Sequence, residues 1–306
     1  MKKRHKIISP RTVIVLLRQA FKELNKNDPL RMAGATAFFT TFGLPPILVI
    51  LIQGLGLIFD RAAIRDQLFR SLTGIWGMES TQQVGQVLSS FRMIARNAWA
   101  IGLGFVFLLF VATTLFNIIK NSFNQIWKIK VMHHRGLGPT LGDRLRSILV
   151  IFMAGVLFVV GLLGETAQAF LGSYISDYSP AFAFYFNTIV NYIISIGIVT
   201  LWFAVLFRYL PDGRPTWGTA LVGGFVTSML FNIGKVLLRT LLQYSNVNNL
   251  YGASGSIVLI MLFVFYSSLI LYYGTAFTKV WGIFRGHPIQ PLHYANHYHL
   301  QEDEDY

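Results

Sequence analysis

Lys235 and Arg239 stand four residues apart in MLFNIGKVLLRTLLQ (Met229–Gln243), a stretch that is otherwise almost wholly apolar. That spacing is about one helical turn, so both cations leave one face of a helix. Charges in such a setting are costly and point to an anion site, an ion pair, or long stems reaching for water. Glu165 is the carboxylate placed to join them. At roughly 1.5 Å per residue, Glu165 lies about 27 Å beyond Ser147, and Lys235 about 27 Å beyond Trp217. Ser147 and Trp217 both begin apolar stretches read as running in one direction, so the two charges fall at matching depth. A Glu165–Lys235 pair leaves Arg239 to meet an anionic lipid or solute. Snorkelling of both cations into headgroups accounts equally for the pattern, and both readings stay open.

A second polar set is Asn117, Asn121, Asn124 and Gln125, at the end of another apolar stretch. It either lines a water-filled vestibule or bonds neighbouring helices, the commoner use of amides in such places. Pro45-Pro46 interrupts AGATAFFTTFGLPP and is expected to kink or break its helix. Ala33, Ala37 and Thr41 give the same helix a small-residue face for close packing. YGASGS (Tyr251–Ser256) opens the last apolar stretch with free N–H groups that suit an anion, as well as an ordinary helix start. No catalytic constellation is found. The histidines (His5, His133, His134, His287, His293, His297 and His299) all fall outside the apolar stretches. His293 and His297 share a face if the tail is helical and would then suit a metal. A disordered polar tail is the reading preferred here, so no metal and no cofactor is assigned.

These residues need elements to hold them, and composition says which. Soluble proteins carry about 25% charged residues; this chain of 306 carries 13%, with 54% hydrophobic. Six apolar stretches are long enough for the roughly 20 residues a spanning helix needs: about Ala33–Phe59, Trp99–Ile119, Ser147–Leu171, Phe182–Phe207, Trp217–Leu242 and Gly252–Phe284. The expected fold is therefore all-α, a polytopic membrane protein with six transmembrane helices. A net charge of +13 invites a nucleic-acid reading. The basic residues instead sort by membrane side, so no nucleic-acid partner is assigned. Of 26 Lys and Arg, 19 flank one side, five lie in loop 60–98, and Lys235 and Arg239 complete the set. The positive-inside rule then places both termini in the cytoplasm. Trp99, Trp127, Trp217 and Trp281 fall near span ends, as an interfacial belt requires. The chain has no cysteine, hence no disulfide or thiolate chemistry. No cleaved signal peptide is expected.

Three regions follow: a basic cytoplasmic amphipathic segment (1–32), a six-helix transmembrane domain (33–284) and a polar His/acidic cytoplasmic tail (285–306). Ser9-Pro10 starts the first helix, with Ile14, Leu17, Phe21 and Leu24 on one side and Arg18, Lys22 and Lys26 largely on the other. It suits the surface of an anionic leaflet, or packing on the rest of the protein. In loop 60–98, Ile64, Leu68 and Leu72 form one apolar stripe and Val84, Leu88 and Phe91 another. Two short external interfacial helices are expected, broken at Thr73-Gly74.

AGATAFFTTFGLPPILVI, LFRYLPDGRPTWGTALVGG and FNIGKVLLRTLLQ followed by NNLYGASGSIVLIMLFVFYSSLILYYGTAFTKVW resemble, in order and spacing, the YihY/BrkB family of bacterial inner-membrane proteins. That family was once labelled ribonuclease BN. The resemblance covers about residues 10–285 and implies six transmembrane helices and a Gly-Lys pair in the fifth, matched by Gly234-Lys235. It departs near the end of the sixth, where the family's Gly-Ala-Glu-Phe is Gly274-Thr275-Ala276-Phe277. No role of that glutamate carries onto Ala276. The ribonuclease label is widely regarded as mistaken; some relatives are linked to serum resistance, and one to export of lipopolysaccharide precursors. The resemblance thus implies envelope or lipid traffic, and with Lys235, Arg239 and Glu165 the expected function is non-enzymatic handling of an anionic lipid or solute. A structural or assembly protein, compatible with a homo-oligomer, is the alternative. A membrane-bound ribonuclease, resting on His133, His134 or Asp143, is the weakest reading.

Overall fold

The computed structural model describes residues 9–55, 60–76, 78, 81–82, 85, 98–132, 180–244 and 255–298. Most of these are helical: α1 (Pro10–Asn25), α2 (Pro29–Leu55), α3 (Arg61–Trp76), α4 (Ala98–Trp127), α5 (Pro180–Tyr209), α6 (Trp217–Tyr244) and α7 (Gly255–Phe284). Four short strands make two antiparallel pairs: β1 (Ile129–Val131) with β4 (Ala295–His297), and β2 (Gly213–Arg214) with β3 (Gln290–Pro291). Five of the expected spans coincide with α2, α4, α5, α6 and α7, while Ser147–Leu171 lies outside the described residues. Among the described residues, Trp217–Leu237 and Ile257–Phe284 are long and apolar enough to cross a membrane.

The chain divides into two compact units. One comprises Met1–Asn27, Lys120–Leu230 and Leu271–Tyr306; the other comprises Asp28–Ile119 and Phe231–Ile270. The first gathers the segments that the charge pattern puts on one side: α1, the end of α4, the turn after α5, and the chain beyond α7.

In that first unit, α6 packs through its smallest residues. A Cβ on Gly224 would stand 2.5 Å from the Thr200 carbonyl oxygen and 3.0 Å from the Ala204 nitrogen, so α5 backbone occupies that space. Toward α7 the fit is reciprocal. Gly223 faces the Thr278 hydroxyl, and Gly274 faces that of Thr227. Each threonine satisfies its hydroxyl on the carbonyl four residues back, Thr227 on Gly223 and Thr278 on Gly274, both at 2.7 Å. Small residues that admit a neighbouring backbone are the means by which helices associate where lipid offers no hydrophobic gain. Aromatic rings fill the space alongside. Phe123 meets Phe207 at 5.7 Å and Tyr272 edge-on at 6.2 Å.

α1 docks on the same unit. Ser9 caps it by accepting from the Thr12 N–H, with Pro10 in the first turn, as the sequence indicates. Its buried residues are Leu16, Ala20 and Leu24, and the first two pack with Phe277 and Trp281. α1 thus packs on the rest of the protein, one of the two alternatives the sequence offers. The buried arc differs from the expected stripe, because Ile14 and Phe21 remain outside.

In the second unit, the small face of α2 is buried at Ala33 and Ala37, at 0% and 1% exposure, and partly buried at Thr41. α3 is capped by Asp60, whose carboxylate accepts from the Ala62 and Ala63 N–H groups, and it buries Ile64 and Leu68. On α6 of this unit, Gly234 lies under the Tyr266 ring, where a Cβ would be 2.0 Å from Cε1.

Four expectations change. α2 is helical through Pro45 and Pro46, so of the expected kink or break the break does not occur; a proline removes its N–H and crowds the carbonyl four residues back, which bends a helix without ending it. α3 runs through Thr73 and Gly74 to Trp76, where the Thr73 hydroxyl bonds the Phe69 carbonyl at 2.8 Å inside the helix. Trp127 and Trp281 are core residues at 1% and 9% exposure, and of the described belt residues Trp217 alone is exposed. The described part of the tail pairs as strands, so His293 and His297 share no helical face. It begins where Gly286, at φ 73°, ends α7, with His287 N–H donating to the Gly282 carbonyl at 2.8 Å. That is the Schellman closure, which favours glycine.

The glycine contacts make a direct prediction. Gly224→Ala forces α5 and α6 apart and costs about 2 kcal/mol, within the range for overpacking. Gly218→Ala, with nothing within 4 Å, leaves stability the same or raises it by up to about 1 kcal/mol. Thermal unfolding of the two variants in detergent distinguishes them.

Candidate functional site

Asp212 occupies a Pro-Asp-Gly turn between α5 and α6, and it is 1% exposed. A buried carboxylate needs a counter-charge and hydrogen bonds, and three elements supply them. From α4, the Lys120 ammonium lies 2.9 Å from Oδ1, and the Asn124 amide donates to Oδ2 at 2.7 Å. The Asn124 amide oxygen in turn accepts the Asp212 N–H at 2.9 Å. From the chain beyond α7, the Tyr294 hydroxyl donates to Oδ1 at 3.0 Å, and the Leu292 N–H donates to the Asp212 carbonyl at 2.9 Å. Both carboxylate oxygens are therefore engaged, and the group acts as a cross-link.

A second bridge lies between α1 and α7. The Lys279 ammonium donates to Glu23 Oε1 at 2.5 Å and to the Ile126 carbonyl at 2.6 Å. The Trp127 indole N–H donates to the Thr275 carbonyl at 2.9 Å. Arg208 bonds the Pro215 carbonyl and lies over the Trp217 ring at 5.0 Å, closing the turn that carries Asp212.

The amide set from the sequence divides. Asn124 is buried on Asp212, and Gln125 donates to the Asn27 carbonyl at 3.3 Å, so these two bond neighbouring elements. Asn117 and Asn121 are exposed. Asp212 itself escaped the sequence reading, although it is the one acid between residues 178 and 301 and sits in a clear turn signal. Ala276, where the family glutamate would fall, is fully buried. His297 faces the Ile289 carbonyl through Nε2 at 3.1 Å and the Lys128 carbonyl through Nδ1 at 3.4 Å. Among the described residues, no group of three His, Asp or Glu side chains is arranged to hold a metal.

Lys235 belongs to the second unit. It is half-buried, with its ammonium 5.6 Å from the centroid of the Phe231 ring, while its neighbours Ile233, Val236 and Leu237 are exposed. Glu165, its expected partner, and the Arg239 side chain lie outside the described residues. The same unit carries an open hollow of about 760 Å³ lined by Arg65, Asp66, Phe69, Arg70, Met78 and Thr81, among others. Arg65 leans over the Phe69 ring at 5.6 Å. Neither Arg65 nor Arg70 forms an ion pair among the described residues.

A family model described as virulence factor BrkB matches residues 20–284. The chain belongs to the BrkB family. It is similar to the UPF0761 membrane protein of Teredinibacter turnerae, 24% identical over 262 residues, covering 86% of this chain and 59% of that one. The Saccharophagus degradans relative is 22% identical, with 85% of this chain and 58% of its own length covered. The Pseudoalteromonas translucida relative is 23% identical, with 80% and 79% covered. The chain thus spans about three-fifths of the length of the first two. No solved structure matches it. The Asp212 turn and the Gly234-Lys235 pair both fall within the segment that identifies this BrkB-family chain.

Removing one member of a buried pair strands the other and costs about 3–5 kcal/mol. Lys120→Met is therefore strongly destabilising, and adding Asp212→Asn recovers part of the loss. Unfolding of the two single variants and the double variant measures this coupling, and strict additivity contradicts it.

Proposed function

We propose that this BrkB-family protein handles an anionic lipid or solute for the cell envelope, without itself catalysing a reaction. The reading places it in the inner membrane with six transmembrane helices and both termini in the cytoplasm. The observation that carries it is the hollow on α3. Two guanidinium groups without ion-pair partners among the described residues line it beside Phe69 and Met78. Planar guanidinium forks suit phosphate and carboxylate oxygens, and the apolar wall suits the methylenes next to such a headgroup. Loop 60–98 is the external loop of this topology, so the hollow opens toward the outer leaflet. Lys235, in the same unit, offers a further cation inside an apolar helix, with Arg239 about one turn beyond it in the sequence.

An assembly role is the second reading. It is favoured by the first unit, where Lys120, Asn124 and Asp212 hold elements together instead of facing a ligand.

The discriminating measurement is lipid binding and flux with purified protein, comparing phosphatidylglycerol with phosphatidylcholine. Arg65→Ala/Arg70→Ala weakens phosphatidylglycerol binding by about tenfold or more, since a hydrogen bond to a charged group contributes about 1.5–3 kcal/mol. Lys235→Ala lowers flux. Binding and flux unchanged in both variants refute the proposal and favour the assembly role.

A further inference from the structure

α1 has two apolar arcs, and the protein covers one of them. Leu16, Ala20 and Leu24 are buried, the Tyr273 hydroxyl donates to the Leu17 carbonyl at 3.0 Å, and Glu23 turns inward to Lys279. Ile14 and Phe21 stay 65% and 55% exposed. At about 100° per residue, Ile14 and Phe21 fall within about 20° of each other, and Arg11, Arg18 and Lys22 follow within the next 80° or so. These three cations and Lys26 are all exposed.

Glu23 is the only acid in α1, and its pairing with Lys279 removes it from the outward side. The outward side is left with four cations, no carboxylate, and the exposed apolar residues Val13, Ile14, Val15 and Phe21. Nucleic acid would satisfy the cations and leave Ile14 and Phe21 in water. An anionic bilayer surface satisfies both, since the apolar strip enters the acyl boundary while the basic strip meets headgroups. Position agrees with chemistry. The residues on which α1 packs, Phe277 and Trp281, lie in the final part of Ile257–Phe284, one of the two stretches long enough to cross a membrane. A helix pinned to the end of such a stretch lies at the level of the headgroups.

We propose that the outward face of α1 is a contact surface for anionic lipid headgroups, so that α1 is clamped between the protein and the leaflet. This does not depend on what the protein handles, because its residues lie in the other unit from Arg65, Arg70 and Lys235.

The absence of native cysteine allows a clean test. Ile14→Cys, Phe21→Cys and Gln19→Cys, each at an exposed position, are spin-labelled in the full chain. The chain is placed in nanodiscs of phosphatidylcholine alone or with phosphatidylglycerol added. Collision rates with oxygen and with a water-soluble nickel complex report immersion. With phosphatidylglycerol, the oxygen-to-nickel ratio at positions 14 and 21 is expected to be severalfold that at position 19. High salt or Arg18→Ala/Lys22→Ala/Lys26→Ala should abolish the difference, because screening removes headgroup attraction. Three results overturn the proposal: labels at 14 and 21 as open to nickel as that at 19, labels closed to both probes (a protein covering the face), or immersion indifferent to lipid charge.

Discussion

The carboxylate of Asp212 is the constraint on which much of the first unit turns. It belongs to a turn, yet it is buried, and an uncompensated buried charge costs several kcal/mol. Its neighbours are consequently not interchangeable. Lys120 supplies charge, Asn124 closes a two-way amide contact with its side chain and backbone, and Tyr294 supplies a hydroxyl from a part of the chain that composition alone assigns to a loose tail. Because β2 begins one residue beyond Asp212, the same contacts set the β2–β3 pairing, in which Gly213 lies opposite Pro291. Gly213 leaves no room for a side chain, since a Cβ would stand 2.4 Å from the Ile129 Cδ1. The end of α4, the turn and the chain beyond α7 are therefore joined at one point.

Helix packing in this unit follows a different principle. Reciprocal Gly–Thr contacts between α6 and α7 bring two helices close while returning each hydroxyl to its own backbone. Neither threonine hydroxyl is left to compete for a partner across that seam. The ion pairs and amide bonds are thus reserved for the ends of elements, where α1, the turn and the tail meet the helices. A fold of mostly apolar helices gains little from water exclusion where lipid surrounds it, so such end contacts set which elements dock and in what register.

Much of this was legible in sequence, and the failures have physical causes. Apolar runs located five described helices, Ser9-Pro10 marked the start of α1, and Ala33 and Ala37 marked the packing face of α2. On α1, periodicity marks Ile14 and Phe21 and passes over Ala20, because it weights large residues. Ile14 and Phe21 outscore Ala20, yet Ala20 is the residue small enough to sit against Phe277 and Trp281. Trp127 and Trp281 read as belt residues because they lie at helix ends, but other segments cover those ends. Lys120 and Asp212 are ninety-two residues apart in a single sequence, and nothing local marks their pairing. Lys120 was instead counted among the basic residues of a loop, a count that treats every cation as solvated. Glu165 and the Arg239 side chain lie outside the described residues, so the inferred pairing with Lys235 stands as a proposal.

Charge use differs between the two units, and this bears on ligand chemistry. In the first, the described acids Glu23 and Asp212 are each spent on a lysine, and the cations that remain outward on α1 have no carboxylate near them on their own helix. In the second, Asp60 is committed to capping α3, while Arg65 and Arg70 line a hollow with Asp66 as its one acid among the described residues. Among the described residues, each unit thus leaves cations beside apolar surface. A soluble anion is satisfied by the charge alone. An amphiphile is satisfied by both components, because burying methylenes against Phe69 or Phe21 adds about 25 cal/mol for each Å² removed from water, while the basic side chains meet its phosphate. Aromatic and cationic residues side by side therefore favour an anionic amphiphile over a free ion at both places.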